Sequence, residues 1–219
     1  RQGLDPGENV SELITARLRL RHFTPDDGEA LAALHGDPAV MRFIDDGRPV
    51  PRDVVLRQTL PEILAEYATL PDGLGRYAAD LLDGGGFVGW FSLRPATSVG
   101  LDGGIELGYR LLPRAWGHGL ATEGARALVA RAFDELNVPE VRATTMTVNV
   151  ASRRVLEKIG LRYVRTFFED WPEPVPGAEH GDVEYLARRP SRRGADHPGA
   201  PPGAVTARPQ GRRSCPDRP

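Results

Sequence analysis

The chain has 219 residues, 40% of them hydrophobic and 26% charged, and a formal net charge of −2. That leaves room for one well-filled core and gives no global attraction to nucleic acid or an anionic membrane. A single cysteine, Cys215, excludes an intramolecular disulfide, and no apolar run is long enough for a membrane span or a signal peptide. A cytoplasmic protein is expected.

Residues 1–12 are polar, with Gly and Pro, and read as a loose lead-in. Thr15 to Arg21 alternates Leu18 and Leu20 with Arg17, Arg19 and Arg21, the pattern of a half-buried strand. Thr24-Pro25-Asp26-Asp27 caps a helix running to His35, and a short helix spans Pro38 to Phe43. Arg52 to Leu70 has helical period with a bend at Pro61. Two strands, Gly75 to Leu82 and Gly86 to Leu93, flank the hairpin signal Asp83-Gly84-Gly85. Ile105, Leu107, Tyr109 and Leu111 alternate as a further strand. A helix from Gly119 to Leu136, a strand from Val141 to Val148, a helix from Ala151 to Ile159 and strands at Leu161 to Phe168 and Asp182 to Ala187 complete the pattern. From Pro190 the apolar pattern stops. Seven Pro, four Gly and six Arg against two Asp in the last thirty residues predict a disordered tail. The fold class is α+β, antiparallel strands first and then one βαβ crossover.

That crossover holds the turn Trp116-Gly117-His118-Gly119-Leu120-Ala121, which opens a helix. A strand feeding a glycine turn and a helix N-terminus aims unpaired N–H groups at one spot and suits a pyrophosphate. A dinucleotide site would need an acid closing the next strand, and Asp134 and Glu135 fall on the helix instead. Asn149, Ser152, Glu157-Lys158 and Gly160-Leu161 follow the second strand.

With those residues the stretch from Ile105 to Leu161 resembles the acetyl-CoA-binding core of the GCN5-related N-acetyltransferases (GNAT). Within that family it is most similar to the RimJ/RimL-like branch, in which Trp116 occupies the position usually held by Gln or Arg. The resemblance spans residues 13–189. It implies a GNAT fold: a mixed central sheet of about seven strands flanked by helices, two of them splayed to form the acetyl-CoA cleft. It also implies amide contacts to the diphosphate from Gly117, His118, Gly119, Leu120 and Ala121, with the Thr122 hydroxyl adding to them. Backbone groups of Leu111 and Leu112 would pair with the pantetheine arm, and Asn149 would bond it near the thioester. Asn149 also suits a helix N-cap.

The reaction implied is direct attack of a primary amine on the acetyl thioester. An alkylamine is mostly ammonium at neutral pH, so a carboxylate must take a proton. Glu106 is the first candidate, against a reading as a solvated residue beside Arg110, and Glu169 is the second. Relatives often place a tyrosine where this chain has Leu156, which cannot protonate the departing thiolate. Ser152 is then the available donor, or a helix-start serine serving only local backbone. Trp171 and His180 are expected near the acceptor. The histidines are scattered without metal spacing, so no metal is expected. Expected partners are acetyl-CoA and an amine, a protein N-terminus or a small molecule. A homodimer is left open, and neither membrane nor nucleic acid is expected. Leu156 also keeps open a CoA-binding regulator without catalysis.

Overall fold

The computed structural model describes residues 12–101, 103–168 and 175–190. Its strands are β1 (Leu13–Ile14), β2 (Leu18–His22), β3 (Gly75–Leu81), β4 (Gly86–Pro95), β5 (Ile105–Leu111), β6 (Glu140–Met146), β7 (Arg162–Phe167) and β8 (Asp182–Arg188). They form one eight-stranded sheet in the order β1-β2-β3-β4-β5-β6-β8-β7. The eighth strand arises where a single strand from Thr15 was expected. Thr15 Oγ1 accepts from the Leu18 amide at 2.9 Å, and the Thr15 amide donates to the Leu18 carbonyl at 2.8 Å. This turn splits the segment, and β1 folds back on β2 with Leu13 opposite Leu20.

The helices are α1 (Gly28–His35), α2 (Pro38–Met41), α3 (Arg52–Val54), α4 (Leu60–Thr69), α5 (Leu120–Asp134) and α6 (Val150–Lys158). The bend expected at Pro61 is a π-turn over Val55–Thr59, where the Leu60 amide reaches back to the Val55 carbonyl. A proline ring crowds the carbonyl four residues earlier, and the widened turn makes room for it. Two apolar clusters flank the sheet. Leu20, Tyr77, Phe91, Leu107 and Leu111 pack with α5 and α6 residues such as Leu128 and Leu156. Phe23, Ala78 and Trp90 pack on the other face with Leu31, Val55 and Ile63. The glycine at 124 lets α5 lie close on the sheet, since a Cβ there would sit 2.4 Å from Phe91 Cζ.

Antiparallel pairing gives way to parallel pairing between β5 and β6, the strands joined through α5. They pair only at Ile105 with Val141 and Glu106 with Arg142, although β5 runs on to Leu111 and β6 to Met146. β5 stays paired with β4 as far as Gly89 opposite Leu111. The sheet therefore opens along one edge of β5. Gly89 secures the intact edge: its φ is +143°, and a Cβ would lie 2.2 Å from the Arg110 carbonyl oxygen.

Candidate functional site

The Leu112 amide donates to the Val88 carbonyl at 2.9 Å. By antiparallel alternation the backbone groups of Leu111 and Tyr109 then point the other way, into the opening between β5 and β6. The Leu111 carbonyl accepts from Trp116 Nε1 at 2.7 Å. Trp116 thus ties the glycine turn to the end of β5 while the residue stays 47% exposed. Of the expected pair, Leu112 gives its amide to β4, and Leu111 with Tyr109 carries the groups that face the gap.

The turn itself suits a diphosphate. Gly117 and Gly119 have φ of +77° and +78°, a conformation that costs glycine little. A Cβ at Gly117 would meet nothing, and one at Gly119 only Arg17 Nη2 at 3.7 Å, so the space above the turn is clear. None of the backbone hydrogen bonds outside the regular elements uses the amides of Gly117, His118, Gly119, Leu120, Ala121 or Thr122 as donor. Those donors cluster at the N-terminus of a fifteen-residue helix, where the dipole adds to their pull on an anion. The residues present therefore fit the phosphates of the expected donor.

A clamp that sequence reading missed holds the turn. Arg17 Nη1 donates to the His118 carbonyl at 2.9 Å, and its Nε and Nη2 reach Glu123 at 2.7 and 2.6 Å. Glu123 also accepts from Thr15 Oγ1 at 2.6 Å and from the Arg17 amide at 2.8 Å. These bonds hold its carboxyl below the usual carboxylate range against the cost of burial. Nothing local in the sequence signals the pairing, because more than a hundred residues separate the partners. Two further arginines near the turn and α6 are held by carbonyls and a hydroxyl: Arg114 donates to the Gly85 and Phe87 carbonyls, and Arg153 donates to Tyr185 Oη and the Thr147 carbonyl.

Asn149 is the N-cap of α6, its Oδ1 accepting from the Ser152 amide at 3.2 Å. Among the described residues its Nδ2 has no acceptor, so one end of the amide caps the helix while the other is left to donate. Ser152 meets a partner from β5: Tyr109 Oη lies 2.9 Å from Ser152 Oγ and donates to the Ser152 carbonyl at 3.2 Å. Burial pushes the Tyr109 hydroxyl up to about 12, so it holds its proton at neutral pH. Leu156 is buried in the core, as its side chain requires.

Glu106 lies on the opposite face of the sheet. The reading as a solvated residue is overturned: Glu106 is 7% exposed, with Arg94 Nη2 at 3.4 Å from its Oε2. Burial pushes its carboxyl above the usual range against the opposing pull of Arg94 and Arg76. Gly108 leaves the room it occupies, since a Cβ there would lie 3.1 Å from Glu106 Oε1 and 2.6 Å from Ser92 Oγ. Arg110 follows on the same face beside His35 and Trp90. His180 ends a short 3-10 turn, exposed, with Nε2 at 3.6 Å from Glu179. That loop meets the start of α6, where a Cβ on Gly177 would lie 2.6 Å from Val148 Cγ2. Glu169 and Trp171 lie outside the described residues.

The opening thus lies beside a turn of unpaired amides and a hydroxyl pair on one face of the sheet and a buried carboxylate on the other. The family model described as the Acetyltransferase (GNAT) domain matches residues 17–162. The FsC-acetyl coenzyme A-N(2)-transacetylase of Aspergillus fumigatus is 38% identical over 182 residues, covering 81% of this chain and 76% of that protein. Among solved structures, RimL, a ribosomal L7/L12 alpha-N-protein acetyltransferase in complex with coenzyme A, aligns with a TM-score of 0.63 at 16% identity, covering 80% of this chain and 96% of that one. The spermidine N-acetyltransferase from Vibrio cholerae, in complex with CoA and spermine, aligns with a TM-score of 0.61 at 16% identity, covering 78% and 95%. These two likenesses establish a shared fold.

Proposed function

Because the chain belongs to the GNAT acetyltransferase family, we propose that it binds acetyl-CoA in the opening between β5 and β6 and acetylates a primary amine. The observation that carries this reading is the opening itself, with unpaired amides from Gly117 to Thr122 on one side and buried Glu106 on the other. Acetyl-CoA would supply an activated acetyl thioester. The turn amides would hold its diphosphate, and the backbone of Leu111 and Tyr109 facing the opening, with Asn149 Nδ2, would orient its pantetheine arm.

Glu106 is the base in this reading. Its burial holds the carboxyl above the usual carboxylate range, closer to the pH at which it must work, and shields it from water. Arg94 holds it in place. Ser152, with Tyr109 Oη at 2.9 Å, is the proton donor to the departing sulfur, which answers the absence of a tyrosine at Leu156. Glu169 stays a second candidate base, with Trp171 and His180 on the acceptor side. Trp116 at the head of the turn supports a place in the RimJ/RimL-like branch. The acetyltransferase domain would run over residues 13–189.

The test is a titration with acetyl-CoA followed by thiol release with an amine panel. Acetyl-CoA should raise the melting temperature in a concentration-dependent way, and at least one amine should release CoA thiol. Unchanged melting would sink the assignment of the turn. Binding without thiol release for any amine would favour a CoA-binding regulator instead.

A further inference from the structure

On the face carrying Glu106, β3, β4 and β5 align a row of charged side chains that the acetyl-donor chemistry leaves unused. Arg76 pairs with Glu66 of α4 at 2.6 Å, and Arg94 pairs with Glu106 at 3.4 Å. Arg110, half-buried, has no carboxylate within ion-pair distance among the described residues. Its Nη1 lies 3.3 Å from His35 Nε2 and 3.4 Å from Met41 Sδ, and its guanidinium stands 5.3 Å from the Trp90 ring centroid.

His35 does not balance that charge. It is 7% exposed, and Trp90 Nε1 donates to its Nε2 at 3.3 Å. Burial, with Arg110 and Arg76 nearby, holds its pKa down to about 3, so the ring is neutral. The carboxylate that acts on Arg110 is that of Asp45, exposed on the loop after α2 and without a hydrogen bond to it. Three buried polar atoms on this floor have no partner: Arg110 Nε, Arg94 Nε and Ser92 Oγ. A buried cation and unfilled donors cost free energy unless something else completes them.

We propose that this floor is the acceptor subsite and that the acceptor is a small amine bearing a carboxylate, which Arg110 receives while the amine is presented to Glu106. The inference rests on the acetyl-transfer reading above. Arg110 and Glu106 lie on one strand and one face, four residues apart, about 13 Å between Cα atoms. The acceptor accordingly holds its amine and carboxylate several bonds apart. A planar guanidinium suits a carboxylate, and a polycation would be repelled by the surplus arginine.

The experiment measures binding and turnover on the full chain with ε-aminocaproate, its amide and spermidine, each in the presence and absence of CoA. ε-Aminocaproate should bind at least about thirtyfold tighter than its amide, as expected when one partner of a desolvated charge pair is removed. Arg110→Gln should erase that preference, raise KM for the carboxylate with little change in kcat, and leave the melting shift caused by acetyl-CoA intact. Arg110→Lys should restore part of it. Equal binding of the amide or spermidine, or an unchanged preference in Arg110→Gln, would overturn the proposal. Failure of acetyl-CoA itself to shift the melting temperature is read in the arm without acceptor and counts against the donor reading alone.

Discussion

The two faces of the opened sheet are built on different principles. On the α5 face the groups proposed to hold the donor are backbone amides from six consecutive residues, Gly117 to Thr122, at a helix end. On the α1 and α4 face they are side chains, Glu106, Arg110, Arg94, Ser92 and His35, largely withdrawn from water and gathered from two strands and a helix. Backbone donors bind a phosphate with little preparation, and they suit a ligand shared by many proteins. A buried set of charges is costly to assemble and selects by chemistry. In the proposed reading this difference puts the common half of the reaction on one face and the particular half on the other.

The largest effect that would break this division is expected from Glu106→Gln. If Glu106 is the base, kcat at neutral pH should fall by about two to three orders of magnitude while acetyl-CoA affinity is unchanged. The sign of the pH effect follows from its raised pKa. The folded state favours the protonated carboxyl, so Glu106 contributes stability below the ordinary carboxylate range and loses it as pH rises through the raised value. Activity needs the opposite form and should fall as pH drops through that same value. Glu106→Gln should therefore lose activity at neutral pH without losing melting temperature. An intact kcat would move the base role to Glu169 or to water.

Gly119→Val should act on the other face alone. A Cβ there is clear of other residues except Arg17 Nη2 at 3.7 Å, but φ is +78° and the new side chain would occupy the space above the turn. Acetyl-CoA affinity should drop about a hundredfold, with strain of order 1–3 kcal/mol on the fold. Retained affinity, measured by calorimetry, would mean that the phosphates sit elsewhere. Gly108→Ala returns to the acceptor face with a smaller change. Its Cβ would press on Ser92 Oγ and Glu106 Oε1, so kcat should fall about tenfold as the base is displaced. CoA affinity should stay level, and a change there instead would show that the two faces are not independent.

The contrast also explains what could be read from the sequence. The α5 face was legible because its parts are consecutive: Trp116 to Ala121 is a turn in one stretch, and period alone located α5 after it. Most elements likewise followed from alternation and caps, including β3, β4 and β5. The turn at Thr15 was missed because a hydroxyl bonding three residues ahead leaves the alternation of Leu18 and Leu20 untouched. Sequence pairs Glu106 with Arg110 only as strand neighbours, and such neighbours on an antiparallel sheet commonly face water. Only the packing of α1 and α4 buries them, with His35 and Trp90 brought from 55 residues apart. Arg17 with Glu123 was invisible for the same reason.

The smallest effects probe the hydroxyl pair, which belongs to the α5 face yet acts through side chains. Ser152→Ala removes Oγ but leaves the cap of α6 intact, because Asn149 Oδ1 receives the Ser152 backbone amide. A serine that served only local structure would thus cost little in either activity or melting temperature. As a proton donor it should lower kcat about tenfold with acetyl-CoA affinity unchanged. Tyr109→Phe should lower kcat by less, since the Ser152 hydroxyl would remain with one partner gone. The decisive measurement is the double variant. If Tyr109 acts through Ser152, the loss in Tyr109→Phe should vanish in a Ser152→Ala background, giving a coupling of about the full Tyr109→Phe effect. Additive losses would separate the hydroxyls, leaving Tyr109 to hold α6 against β5 and the proton to come from elsewhere.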